Sequence, residues 1–196
     1  MTESRFFRVP PVVAAVVAAA LQTAVIGYMV EGRASILRSG ADIRLKTQPV
    51  DPRDLLRGDY VILSYPISTI PKSIVTGERP KGGAWPRLFV RLKPGADGLW
   101  VATEASFATL PAQEGSVVLR TLPFDYYTGA DGGMPDTLFV QYGIERYYVP
   151  EGEGKALEDA RNQEELEVEA RVSRDGTAQI ARLILKGEPI YEEPLY

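Results

Sequence analysis

From Val9 to Val30 the chain reads VPPVVAAVVAAALQTAVIGYMV, 22 residues without a formal charge, and no other stretch limits its folding so severely. At about 1.5 Å of rise per helical residue the segment reaches roughly 30 Å, the thickness of a bilayer's hydrocarbon core. Val and Ala occupy every face, leaving no polar stripe of the kind that a half-buried helix carries. Gln22 and Thr23 are its strongly polar side chains. Pro10 and Pro11 stand at the entry, where a missing N–H costs little, while Tyr28 and Arg33 suit the interface at the exit. Residues 9–30 therefore read as a transmembrane anchor in contact with membrane lipid.

A cleavable export leader is the competing reading: Arg5 and Arg8 make a basic start, and Ala18 and Ala20 flank Ala19 as a small-residue cleavage site. The apolar run continues ten residues past Ala20, longer than a leader needs, which favours an uncleaved anchor. Arg33, Arg38, Arg44 and Lys46 follow the span, yet long domains cross membranes largely regardless of such counts. A short basic tail, residues 1–8, ahead of an N-terminal span predicts a cytoplasmic N-terminus and a main domain outside the cytoplasm.

Composition removes much ordinary enzyme chemistry. The 196 residues include no cysteine and no histidine. Disulfides, thiolate zinc sites, thiol nucleophiles and histidine-relayed serine hydrolysis are all excluded, and no cofactor is implied. The net charge of −4 argues against nucleic acid, whose backbone is held by a basic face. Glu3, Arg5 and Arg8 are the charges before Glu31; without them 20 basic and 25 acidic side chains remain, so the body is mildly acidic.

Glu31 to Ser39 reads as a helical stalk ended at Gly40. Beyond it the periodicity turns to alternation, in short runs punctuated by Gly, Pro and Asp. The pattern predicts strands over Asp42–Gln48, Asp59–Ile67, Arg87–Lys93, Leu99–Ala105, Ser116–Leu122, Thr137–Tyr142, Glu165–Ser173 and Thr177–Lys186. In the last pair Leu166, Val168, Ala170 and Val172 alternate with charges, and Asp175-Gly176 supplies the turn of a hairpin. Lys155 to Glu164 reads as a helix with Leu157 and Ala160 inward. The fold expected is mainly β: an N-terminal transmembrane helix, then one β-rich barrel-like or sandwich-like domain, residues 41–196, with one short helix.

The densest segment is PVDPRDLLRGDYVILSY, Pro49 to Tyr65. Two prolines and a glycine force a turn before a β-prone strand. Asp51, Asp54 and Asp59 serve such a turn as backbone acceptors, with Arg57 paired to a carboxylate; as a cation site they lack the loop geometry of calcium-binding segments. GDYVILSY, Gly58 to Tyr65, resembles the G-D-Y-x-x-L-x-Y signature of a bacterial family of membrane-anchored proteins named after it. Gly58, Asp59, Tyr60, Leu63 and Tyr65 stand in the matching places, with Asp51, Pro52 and Arg57 just upstream. GIERYYVPEG, Gly143 to Gly152, and the Asp175-Gly176 hairpin are similar to that family too. The resemblance implies an anchor plus an extracytoplasmic β-rich domain at a bacterial inner membrane, working beside an integral membrane protein, with no assigned activity.

Asp51-Pro52 and Gly58-Asp59 also resemble, more distantly, the nucleophile box of type I signal peptidases, which use a serine–lysine dyad and need no histidine. Pro49 or Val50 falls where the serine belongs, so the attacking group is missing, and Lys93 or Arg91 at the lysine strand has no partner. Ser64 or Ser68 with Lys72 or Lys93 is the remaining route to a hydrolase. Glu145, Arg146, Tyr147, Tyr148 and Glu151 read either as a strand end with its turn or as a recognition edge, with Tyr126-Tyr127 as a second tyrosine pair, since exposed Tyr and Arg are enriched where partners bind. The function expected is non-enzymatic binding beside a polytopic membrane protein.

Overall fold

A computed structural model describes residues 10–50, 60–129 and 132–194. The apolar run and the residues after it form one unbroken helix, α1 (Pro11–Ser39). Among the described residues it is the helix long and apolar enough to cross a membrane, and its most apolar window has a mean hydropathy of 2.0 with nothing in it buried.

The body that follows is built of strands β1 (Ala41–Lys46), β2 (Tyr60–Ile62), β3 (Thr69–Pro71), β4 (Val75–Thr76), β5 (Phe89–Pro94), β6 (Trp100–Ser106), β7 (Val117–Arg120), β8 (Thr137–Phe139), β9 (Arg146–Tyr148), β10 (Leu166–Val172), β11 (Ala178–Leu185) and β12 (Glu188–Glu192). Helix α2 (Gly154–Asn162) lies between β9 and β10. A four-stranded sheet has the order β1-β10-β11-β12, a second β4-β6-β5-β7, and β2-β9 and β3-β8 are two-stranded ribbons. Every pairing is antiparallel except β4 with β6. The mainly β body with its apolar N-terminal helix and one short helix stands as expected, and its sheets are open rather than closed into a barrel.

The hairpin β10–β11 follows directly from its sequence. Leu166, Val168, Ala170 and Val172 are buried while the residues between them stay half-exposed, which is what period-two alternation produces. Its turn needs glycine twice over. Gly176 has φ +84°, and a Cβ there would lie 2.9 Å from the Arg120 nitrogen and 3.0 Å from the Arg120 Cβ. The close approach lets the Arg120 N–H donate to the Gly176 carbonyl at 2.8 Å, tying one four-stranded sheet to the other.

One apolar core unites the pieces. Ile43, Leu45, Val168 and Leu183 from the first sheet meet Val90, Leu92 and Leu119 from the second, with Val61, Leu63 and Tyr65 between them.

The segment after the span continues the helix to Ser39, and its last turns pack on the body. Ala34 and Leu37 are buried, and α1 touches β10 and β11. The Arg171 guanidinium donates to the Leu37 carbonyl and to Asp42 Oδ1, supplying a cation and a donor at the helix C-terminus where carbonyls lack partners. Gly40 fits a crowded corner: a Cβ would stand 2.6 Å from the Ile36 oxygen and 3.0 Å from the Val172 nitrogen.

Other boundaries differ from the alternation pattern. The strand predicted over Asp59–Ile67 is paired over Tyr60–Ile62, and Pro66–Ser68 coils into a 3-10 turn because proline cannot donate to a ladder. The ladders of β3, β4, β9 and β12 lie in segments that carry little or no alternating apolar pattern.

Candidate functional site

Alternation through the motif decides which of its side chains are available. Val61, Leu63 and Tyr65 point inward and are essentially inaccessible; Tyr60, Ile62 and Ser64 lie on the other side, partly exposed. The strand pairs with β9 in the register Tyr60↔Tyr148, Val61↔Tyr147, Ile62↔Arg146. Thus Tyr60–Ile62 of the motif and Arg146–Tyr148 of the GIERYY segment, separated by some eighty positions, form one antiparallel ribbon.

Beyond the ribbon the two segments stay clasped. The Leu63 N–H donates to the Glu145 carbonyl at 2.9 Å, and the Tyr65 hydroxyl donates to the Ile144 carbonyl at 2.6 Å. Tyr142 mirrors it, its hydroxyl donating to the Ile67 carbonyl at 2.6 Å. Burial pushes both phenols above the ordinary tyrosine range, and the Glu145 charge adds to the effect, so both remain neutral donors. Glu145 itself closes the turn: its carboxylate accepts from the N–H of Tyr142 at 2.6 Å and of Gly143 at 2.9 Å, with Gly143 at φ +87°. From α2 the buried Arg161 donates to the Ile62 carbonyl and, at 2.9 Å, to Asn162 Oδ1. Burial lowers the pKa of this guanidinium.

The solvent-facing side of the ribbon carries a different set. The Tyr60 and Tyr148 rings lie 5.9 Å apart, tilted at 58°, and the Arg146 guanidinium sits 5.6 Å from the centre of the Tyr60 ring, within cation–π range. Tyr148 is 72% exposed. Tyr147, between Arg146 and Tyr148, is buried against Tyr191, and burial, reinforced by Glu193, raises its pKa. Of the residues read as a recognition edge, Arg146 and Tyr148 face outward, Glu145 builds the turn, Tyr147 belongs to the core, and Glu151 is exposed in the turn before α2. Tyr126 is likewise buried and Tyr127 exposed, so the paired tyrosines are split between core and surface. Asp51, Pro52, Asp54, Arg57, Gly58 and Asp59 lie outside the described residues.

The serines weighed as nucleophiles take other places. Ser64 Oγ accepts from Gln48 Nε2 at 2.9 Å. Ser68 Oγ is buried without a hydrogen-bond partner, so neither Lys72 nor Lys93 is poised on it. A cleft of about 230 Å³, lined among others by Leu45, Ile67, Thr69, Trp100 and Val101, opens beside this segment; Lys46 at its edge is paired with Glu164, whose hydrogen bond and charge raise the lysine's pKa.

Two residues of this region escaped the sequence reading. Arg161 sits in a run of helical charges and reads as solvated. Tyr142 carried a signal, its place in the inward register of Thr137–Tyr142, but nothing local names its acceptor.

The family model described as "GDYXXLXY protein" matches residues 22–183, and the chain belongs to that family. No curated protein and no solved structure matches.

Proposed function

We propose that this member of the family is a single-pass, membrane-anchored accessory domain that acts by binding and not by catalysis. On this reading α1 holds it N-terminus-inside in a bacterial inner membrane. Its β-rich body lies on the periplasmic side, beside a polytopic membrane protein that it grips with the outward face of the β2–β9 ribbon.

The observation that carries the reading is the division of labour within the ribbon. Val61, Leu63, Tyr65 and Tyr147 fill the core, which accounts for the fold's need of the motif. Tyr60, Arg146 and Tyr148 gather on the opposite side as two rings and a cation. Tyr148 is left mostly in water, and Tyr and Arg grouped on one face are the side chains that dominate binding energy at interfaces.

Photocrosslinking tests it. A benzophenone amino acid at position 148, activated in native membranes, is expected to capture one abundant polytopic protein, with the yield falling several-fold when Arg146→Ala is added. The same probe at Lys155, exposed on α2, is the control. Equal and unspecific capture from both positions would overturn the reading.

A further inference from the structure

A second exposed aromatic group lies outside the motif. Trp85 is 68% exposed and Tyr127 69%. Their segments are joined by the antiparallel bridge Ala84↔Tyr126, in which the Gly83 N–H donates to the Tyr126 carbonyl at 2.8 Å and the Tyr126 N–H to the Ala84 carbonyl at 3.2 Å. Gly82 packs on Thr128 so closely that a Cβ would stand 2.8 Å from its hydroxyl. The two rings are therefore displayed by a lobe whose backbone is tied by hydrogen bonds and whose Tyr126 ring is buried beside them.

The charge of the lobe runs against that of the body. Between Arg79 and Arg87 the chain carries Arg79, Lys81 and Arg87, against the exposed acids Glu78 and Asp125 at the edges of the lobe, so the lobe keeps a net positive charge in a domain that is acidic overall. All three cations are exposed, and none forms an ion pair among the described residues.

Connectivity relates the lobe to the anchor. The end of α1 packs at Gly40 against Arg171 and Val172, beside the β10–β11 turn, and that turn holds Arg120 at the end of β7. Beyond Arg120 the β5–β7 ladder continues as an irregular ribbon: Thr121 N–H donates to the Leu88 carbonyl at 2.9 Å and Phe124 N–H to the Pro86 carbonyl at 3.2 Å. The lobe is thus joined through β7 and the β10–β11 turn to the corner where α1 ends.

We propose that the Trp85–Tyr127 lobe docks on the anionic surface of the bilayer that holds α1, with Arg79, Lys81 and Arg87 meeting lipid phosphates and the two rings lying at headgroup depth. Tryptophan and tyrosine favour that depth because one end of each ring is apolar and the other hydrogen-bonds water, and cations beside them are drawn to anionic lipid. The inference rests on the anchoring part of the reading above and is independent of the partner on the β2–β9 ribbon.

The test uses the full chain reconstituted in vesicles of phosphatidylcholine, alone or with phosphatidylglycerol at about one-third, each containing a brominated lipid that quenches tryptophan at headgroup-proximal depth. Flotation with the vesicles reports the anchor. Quenching reports the lobe, with Trp85→Phe as the subtraction that leaves only Trp100. The expected result is quenching of the Trp85 component, at least twofold greater with phosphatidylglycerol and returned to the neutral-lipid level by R79Q/K81Q/R87Q. Flotation with equal quenching of the wild type and Trp85→Phe would overturn the docking while leaving the anchor intact. Quenching as strong in pure phosphatidylcholine would overturn the anionic surface, and failure to float would overturn the anchor and the docking together.

Discussion

The Tyr65 hydroxyl donates to the Ile144 carbonyl across 2.6 Å in a fully buried environment, joining the last letter of the family signature to the segment that contains Arg146 and Tyr148. Removing only that oxygen, Tyr65→Phe, leaves a buried carbonyl unsatisfied and should cost about 1–3 kcal/mol. Leu63→Ala opens a cavity in the same layer and should cost about 2–5 kcal/mol. Chemical denaturation of the two variants, with membrane insertion of α1 as a check, measures both.

Tyr148→Ala and Arg146→Ala should behave in the opposite way. Both side chains face solvent, so the loss of stability should stay at or below about 1 kcal/mol, the worth of their exposed ring contacts, while capture of the membrane partner falls. A loss of stability comparable to that of Leu63→Ala would show that the outward face serves the fold and not recognition.

The glycines around α1 give a paired test of how the helix joins the body. Gly40→Ala drives a methyl group against the Ile36 oxygen and the Val172 nitrogen and should destabilise by about 1–3 kcal/mol. Gly32→Ala, in the same helix, meets nothing within 4 Å and should be neutral or stabilising by up to about 1 kcal/mol. Thermal melts in detergent distinguish the two.

Acid should loosen the β10–β11 turn through Asp175. Its carboxyl is held below the ordinary aspartate value chiefly by the Ser173 hydroxyl, against an opposing burial penalty, with Thr177 and Arg120 adding to the lowering. A depressed folded pKa means stability that is present above the unfolded value of about 3.8 and is lost as pH falls through the folded one. Because the side chain is 58% exposed, the contribution should not exceed about 1 kcal/mol. Asp175→Asn should be less stable than the parent at pH 7, and the gap should shrink toward pH 2–3 in urea titrations.

Topology is directly measurable because the chain has no cysteine. A single cysteine in place of Glu151, exposed in the turn before α2, should react with a membrane-impermeant maleimide from the periplasmic side. One in place of Thr2 should react only after the inner membrane is opened. The reverse pattern would place the body in the cytoplasm.

What could be read from the sequence is what is local. The anchor is legible because 22 uncharged residues admit few alternatives, and β10–β11 because seven alternating residues and an Asp-Gly turn each point to the same hairpin. β9 is three residues long with Arg146 and Tyr148 turned to solvent, too short for alternation to register, and β12 lies past the last predicted strand, with Pro189 and two glutamates in its five residues. The sorting of the paired tyrosines depends on which neighbour falls on the inward side of a strand. That side is set by the partner of β9, about eighty residues away, and no nearby pattern encodes it. Arg161 was hidden for the same reason: its acceptor, the Ile62 carbonyl, becomes its neighbour only when α2 packs on β2.

Helix α1 passes without a break from its bare apolar stretch to its buried last turns, where Arg171 grips the carbonyl of Leu37. The helix is unbroken from shaft to head. A tilt or rotation of the shaft is delivered to the hairpin it rests on, and from there through Arg120 to the opposite sheet. A continuous helix and two hydrogen-bonded joints couple the shaft to both sheets.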